Sequence, residues 1–164
     1  MPLTSGGTVP RHHLNPCMLF AERGEHEVLT LLGSCVSVCL WDSHMTLGGM
    51  NHYMLPLWNG NGLATPKFGN VAIEKLIRKL LDLGCRKEHL VAKCFGGANV
   101  LGEVSGRMQV GERNIAVAEE ILAIYGIPIK ARDTGGLRGM KIIFNTRTGV
   151  VLAGRLAGPS PALR

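Results

Sequence analysis

The sequence predicts an α+β protein, a layered sandwich of mixed β-sheets flanked by helices. Short apolar runs of strand length, about eight of them, are bounded by Gly, Pro, Asn and Asp. Only two stretches show the helical 3.6-residue period. The order is β-rich, helix, strand, helix, then strands. Two helices cannot cover both faces of a sheet that large, so the strands must split or curl into two packed sheets with helices outside.

The elements follow in order. Residues 18–31 read as a strand, a turn at Arg23-Gly24 and a second strand leading into Leu32-Gly33-Ser34-Cys35. Two further runs, 36–41 and 50–55, flank a polar turn at Asp42 and Ser43 that the pair Gly48-Gly49 closes. Pro56 ends the second run, because proline cannot donate to a ladder. A helix begins near Asn70 as N-cap, repeats Ile73, Leu76, Ile77, Leu80 and Leu81, and stops at Gly84. Residues 89–95 form a buried strand ending at Gly96-Gly97-Ala98. A second helix covers 112–125 with Ile115, Ala118, Leu122 and Tyr125 on one face and Gly126 as its stop. Strands at 127–132, 140–145 and 150–156 close the chain, with glycine-rich turns between them.

At 164 residues the chain suits one domain with a single sizeable core. We place it at residues 18–153, with a flexible leader over 1–17 and a disordered Pro/Gly/Ala-rich tail over 154–164. With 46% hydrophobic and 18% charged residues, the composition is globular. No apolar run reaches the roughly 18 residues of a membrane span, and the leader has no signal-peptide core. A cytoplasmic protein without membrane insertion is expected. The formal net charge of +6 raises the question of nucleic acid, but the basic residues are scattered and only four Phe and two Tyr are available for stacking. Nucleic acid is therefore set aside, and an acidic protein partner stays open. The five cysteines are odd in number and contain no C-x-x-C, which leaves free thiols in a reducing compartment.

Two of the chemical candidates are Cys35 and His52, 17 residues apart and each attached to a strand-like run. A thiol and an imidazole held together are the minimum for thiolate catalysis. A Cys beside Val36 and Val38 is often just a small core residue. The Gly33-Ser34 entry argues for more, since it lets backbone N–H groups turn toward an incoming carbonyl as an oxyanion hole requires. His52 follows a glycine pair and lies between Asn51 and Tyr53. His12, His13, His26, His44 and His89 fall in the leader, in turns or at a strand start. For a third group, Thr30 offers a hydroxyl or carbonyl to orient the imidazole. Asp42 and Asp133 are the alternatives, although turn aspartates usually cap backbone. The Gly96-Gly97 and Gly135–Gly139 clusters match neither phosphate-loop pattern and read as loops at the rim of the site. No metal-ligand motif such as H-E-x-x-H is present, and no cofactor is expected.

Together L-L-G-S-C-V-S-V-C-L, G-G-M-N-H-Y-M-L-P, K-C-F-G-G-A and G-G-L-R-G-M-K-I-I-F-N-T-R-T-G resemble the CheD family of chemoreceptor glutamine deamidases over residues 18–153. The resemblance implies a fold similar to the cytotoxic necrotizing factor catalytic domain, with Cys35 as nucleophile and His52 as general base and acid. Thr30 is the hydroxyl near the place of the family's third member, and a register one residue earlier would put Leu29 there. Gly33 and Ser34 would line the oxyanion site. The implied reaction converts receptor glutamines to glutamate through a thioester, with methyl-ester hydrolysis alongside, and the implied partners are a chemoreceptor cytoplasmic domain and a CheC-type phosphatase. Two other readings are a non-catalytic adaptor, against which the intact Cys35 and His52 argue, and a cysteine hydrolase of another substrate. The lack of a papain-like pattern weakens the second.

Overall fold

A computed structural model describes residues 7–102 and 109–157. Its elements in chain order are β1 (Arg11–His13), β2 (Leu19–Ala21), β3 (Glu27–Leu32), β4 (Val36–Asp42), β5 (Leu47–Asn51), α1 (Gly69–Asp82), β6 (Leu90–Gly96), α2 (Val110–Ile124), β7 (Ile129–Thr134), β8 (Met140–Asn145) and β9 (Val151–Arg155). They form a four-stranded sheet of order β1-β3-β8-β9 and a five-stranded sheet of order β2-β5-β4-β6-β7. The expected mixed α+β architecture, with two sheets and two helices, is what is found.

The pattern along β4 shows how the layers stack. Val36, Val38 and Leu40 share one face and pack with Ile73, Leu76, Ile77 and Leu80 of α1 and with Val117, Ala118 and Leu122 of α2. Cys39 lies on the opposite face, in a second cluster with Val28 and Leu32 of β3 and Met140, Ile142 and Phe144 of β8. Successive strand residues point to opposite faces, so a strand apolar on both must be covered on both. The order of layers is four-stranded sheet, five-stranded sheet, helices.

Both helices form where their apolar period predicts. Each ends at a left-handed glycine, Gly84 at φ +106° and Gly126 at φ +69°. The first starts at Gly69 with Phe68 as a cap that makes no side-chain bond. Asn70, expected as the cap, instead accepts a hydrogen bond from the Trp58 N–H at 3.0 Å. The second starts two residues earlier than expected, and its buried face is Gly111, Asn114, Val117, Ala118 and Leu122.

Three expectations need correction. Gly48 and Gly49 do not close a turn but lie inside β5, which ends at Asn51. They are there because no side chain fits: a Cβ on Gly48 would sit 2.8 Å from the Phe144 ring and one on Gly49 2.6 Å from the Phe20 carbonyl oxygen. Residues expected in the leader include a strand, β1. From Arg11 the chain runs parallel to β3, and Leu14 is buried with its N–H donating to the Leu29 carbonyl at 2.8 Å. At the other end β9 continues through Gly154 to Arg155 by pairing with β8. The remainder of the expected leader, 1–6, and of the tail, 158–164, lies outside the described residues.

Candidate active site

The chain changes sheets between β3 and β4, and Gly33-Ser34-Cys35 is that crossing. Backbone groups of the segment after β6 support it from behind. The Gly97 N–H donates to the Cys35 carbonyl and the Ala98 N–H to the Gly33 carbonyl, both at 2.9 Å. Such close approach needs glycine, since a Cβ on Gly96 (φ +100°) would meet the Cys35 carbonyl oxygen at 2.2 Å. The second glycine cluster stacks on the first through Gly135 N–H to Gly96 O at 2.8 Å.

Val36 and Tyr53 form an antiparallel bridge in the same register as the β4–β5 ladder, with N···O distances of 3.1 and 3.0 Å. Both side chains are buried on the helix side. Cys35 and His52, one residue before each, therefore face the other way, toward the space between the sheets. They are diagonal neighbours, a relation that spans about 7–8 Å between Cα atoms and stays within side-chain reach. Cys35 is half-buried against the inter-sheet cluster, and His52 is 2% exposed.

Thr30 reaches the same space from the opposite sheet. On β3 the inward positions are Val28, Thr30 and Leu32. The Thr30 hydroxyl lies 2.7 Å from His52 Nδ1 and 2.7 Å from the Leu14 carbonyl oxygen. A carbonyl only accepts, so the single hydroxyl proton goes to Leu14, and the Thr30 oxygen must accept from Nδ1–H. This fixes the tautomer: the proton sits on Nδ1, and Nε2 carries the lone pair of a base. Leu29, at the neighbouring register, is on the other face of β3 and does not take this place.

Burial disfavours the charged form of both side chains. Burial drives the His52 imidazole down to about 4, and His13 nearby adds to the effect. Burial likewise pushes the Cys35 thiol above its ordinary value, Cys17 adds in the same direction, and the residue's own N–H offsets part of it. Of the expected oxyanion residues, the N–H groups of Gly33 and Ser34 make no hydrogen bond among the described residues.

The alternative orienters are committed elsewhere. Asp42 accepts from the N–H groups of His44, Met45 and Arg86. Asp133 pairs with Arg155 at 2.6 Å, and Arg155 also holds the Gly135 and Arg138 carbonyls. Several contributors escaped the sequence reading. Leu14 acts through a backbone carbonyl, which leaves no trace in residue type. Cys17 donates its N–H to the His52 carbonyl at 2.8 Å. Asn114 of α2 donates to the Ser34 and Met54 carbonyls at 2.9 and 3.0 Å and accepts from the Tyr53 hydroxyl through its own carbonyl. A polar residue on the buried face of an otherwise amphipathic helix was the available signal.

Two grooves flank the crossing. One, of about 560 Å³, is lined by Leu31, Gly33, Val100, Leu137 and Leu156 among others. The other, of about 520 Å³, runs past Ser34, Met54, Val100, Leu101 and Val110. Leu31, Val100, Leu101 and Leu137 are all at least 49% exposed, so apolar surface borders the Gly33-Ser34 segment on both sides.

The family model described as CheD chemotactic sensory transduction matches residues 54–155. That segment begins just after His52, but the similarity to individual proteins reaches further. A protein of Trichlorobacter lovleyi named "Probable chemoreceptor glutamine deamidase CheD" is 53% identical over 150 residues, 92% of this chain and 93% of its own. Similarly named proteins of Sulfurimonas denitrificans and Rhodospirillum rubrum are 47% and 42% identical, over 87% and 88% of this chain and 92% and 82% of theirs. With 150 residues matched out of 164, the first of these matches spans Thr30, Cys35 and His52.

Proposed function

The chain belongs to the CheD family, and from that premise we propose that it is a protein-glutamine deamidase acting on chemoreceptors, with Cys35, His52 and Thr30 as its catalytic set. The observation that carries the site assignment is the Leu14–Thr30–His52 chain of hydrogen bonds, which leaves His52 Nε2 unprotonated on the face it shares with Cys35. A core histidine needs only a partner, whereas this one is locked in the form of a base.

In the proposed reaction the Cys35 S–H proton passes to His52 Nε2 as sulfur attacks the side-chain carbonyl carbon of a substrate glutamine. The N–H groups of Gly33 and Ser34 stabilise the oxyanion. As the tetrahedral species collapses, the C–N bond breaks, and His52 gives its proton to the departing ammonia. Water then attacks the thioester and loses its proton to His52. The C–S bond breaks, the thiol is restored, and glutamate remains.

The same path hydrolyses a methyl ester, with methanol as leaving group in place of ammonia, and we include that activity in the reading. The apolar grooves beside Ser34 suit one face of an amphipathic receptor helix, and the net charge of +6 suits its acidic residues. A CheC-type phosphatase as second partner, and a cytoplasmic location, rest on family membership. Kinship with the cytotoxic necrotizing factor catalytic domain is supported by the layered sheets, and superposition of the two folds tests it. The deciding experiment incubates the protein with a receptor cytoplasmic fragment and follows Gln-to-Glu conversion by mass spectrometry. Conversion by the wild type and none by Cys35→Ala is expected; equal conversion by both, or by neither, would sink the proposal.

A further inference from the structure

Near the β1 edge of the four-stranded sheet, three side chains from three separate segments converge: His12 of β1, Glu22 just after β2 and His26 just before β3. One ligand atom from each lies within 4.8 Å of the others. We propose that His12, Glu22 and His26 form an accessory binding site for a zinc ion, completed by solvent and separate from the cysteine chemistry.

The spacing of the two imidazoles fits a shared metal. His12 Nε2 and His26 Nδ1 are 3.2 Å apart. Two nitrogens each about 2.0–2.1 Å from a tetrahedral zinc stand roughly 3.3 Å from one another. A His–His hydrogen bond spans the same gap, so binding would replace a shared proton by the ion, with each ring tilting to aim its nitrogen off the N···N line.

The tautomer of the neutral His26 ring is fixed independently. Its Nε2 lies 2.9 Å from the Arg23 carbonyl oxygen, which can only accept. The proton is therefore on Nε2, and Nδ1 presents its lone pair toward His12. A backbone carbonyl holding the far nitrogen of a metal-binding imidazole is the usual outer support of such ligands. The backbone of His26 is held too, since its N–H donates to Thr146 Oγ1 at 3.0 Å and its carbonyl accepts from the Thr146 N–H at 2.9 Å.

The surroundings agree. Phe20 packs against both imidazoles, with ring centroids 4.6 and 5.1 Å away, and shields one side from water. The His26 side chain is 14% exposed and that of Glu22 59%. Glu22 thus supplies an anionic oxygen from the open side; it lies 3.9 Å from His26 Nε2, and its exposed side chain must swing toward Nδ1 to complete the set. Two imidazoles and a carboxylate are a donor set suited to zinc.

The site also bears on the catalytic set. β1 is a three-residue strand at the edge of its sheet, paired only with β3. Two residues beyond His12 is Leu14, whose carbonyl takes the Thr30 proton. A metal joining His12 to Glu22 and His26 pins that strand and so holds the acceptor in place.

The test titrates zinc into full-length protein first stripped with a chelator, in a Cys17→Ala/Cys35→Ala background so that thiols do not compete. We expect one zinc per chain, a raised Tm, and X-ray absorption showing nitrogen and oxygen ligands without sulfur. His12→Gln should weaken binding at least tenfold, and Glu22→Gln, at an exposed position with no structural burden, by a smaller factor. No binding in this background, where only the buried Cys39, Cys85 and Cys94 remain, would overturn the proposal. So would affinity unchanged by both substitutions.

Discussion

Thr30→Val tests the orienting hydroxyl with almost no change in side-chain volume. The substitution removes both 2.7 Å hydrogen bonds at once, leaving the Leu14 carbonyl and His52 Nδ1–H without partners between two sheets. Each of the two unsatisfied buried groups costs about 1–3 kcal/mol, so stability should fall by roughly 2–6 kcal/mol in urea denaturation. The catalytic loss has a separate origin. Without a fixed acceptor at Nδ1 the imidazole no longer favours the tautomer with Nε2 free. Positioned acid–base catalysis is worth about 10²–10⁴-fold, and we expect kcat to fall about 100-fold, equivalent to roughly 2.7 kcal/mol, with KM little changed. The assay is glutamate formation on a receptor fragment, measured well below the variant's Tm so that unfolding does not contribute. Thr30→Ser keeps the hydroxyl and should recover most of the rate. A Thr30→Val protein with wild-type kcat, or a Thr30→Ser protein as slow as Thr30→Val, would refute the reasoning.

Three further outcomes are expected. With His52 drawn down to about 4, kcat/KM should lose activity on acidification near pH 4 rather than near the ordinary imidazole value of about 6.5; an acid limb at 6–7 would contradict the buried neutral base. The same group should affect stability. Its folded pKa lies below the unfolded one, so its contribution is complete above about pH 6.5 and is lost as pH falls toward 4, roughly 3 kcal/mol in all. Urea denaturation at pH 7 and pH 4.5 should show that loss in the wild type and a smaller one in His52→Gln. Gly96→Ala should destabilise by roughly 3 kcal/mol or more, combining left-handed strain with a Cβ driven into the Cys35 carbonyl, and a variant as stable as wild type would argue against the close backbone approach.

What the sequence showed and what it hid divide along local and non-local lines. The period of Ile73, Leu76, Ile77 and Leu80 located α1 because a helix's buried face is a property of consecutive residues. Cys35 and His52 were legible because a glycine entry and strand-like flanks surround them within a short span. β5 was misplaced because glycine has two uses: Gly48-Gly49 signals a turn in sequence, yet here it admits the Phe144 ring and the Phe20 backbone. Thr30 was picked out by type, but the tautomer argument depends on the Leu14 carbonyl, and every residue has a carbonyl. Asn114, 80 positions from Ser34, becomes a support for the nucleophile only once α2 lies across the five-stranded sheet.

The bond between Thr30 and His52 joins the two sheets, and this makes turnover a gauge of how far apart they stand. Their separation is set by core contacts such as the Phe144 ring lying over bare Gly48. A wedge there, even one too small to unfold the protein, would lift β3 away from His52 and silence the base while Cys35 stayed in place. Damage to the catalytic rate can therefore begin in the middle of the hydrophobic layer. In refolding, Cys35 can be alkylated in an unfolded chain, but glutamine hydrolysis must wait until the sheets have docked, so the two signals together would time that event.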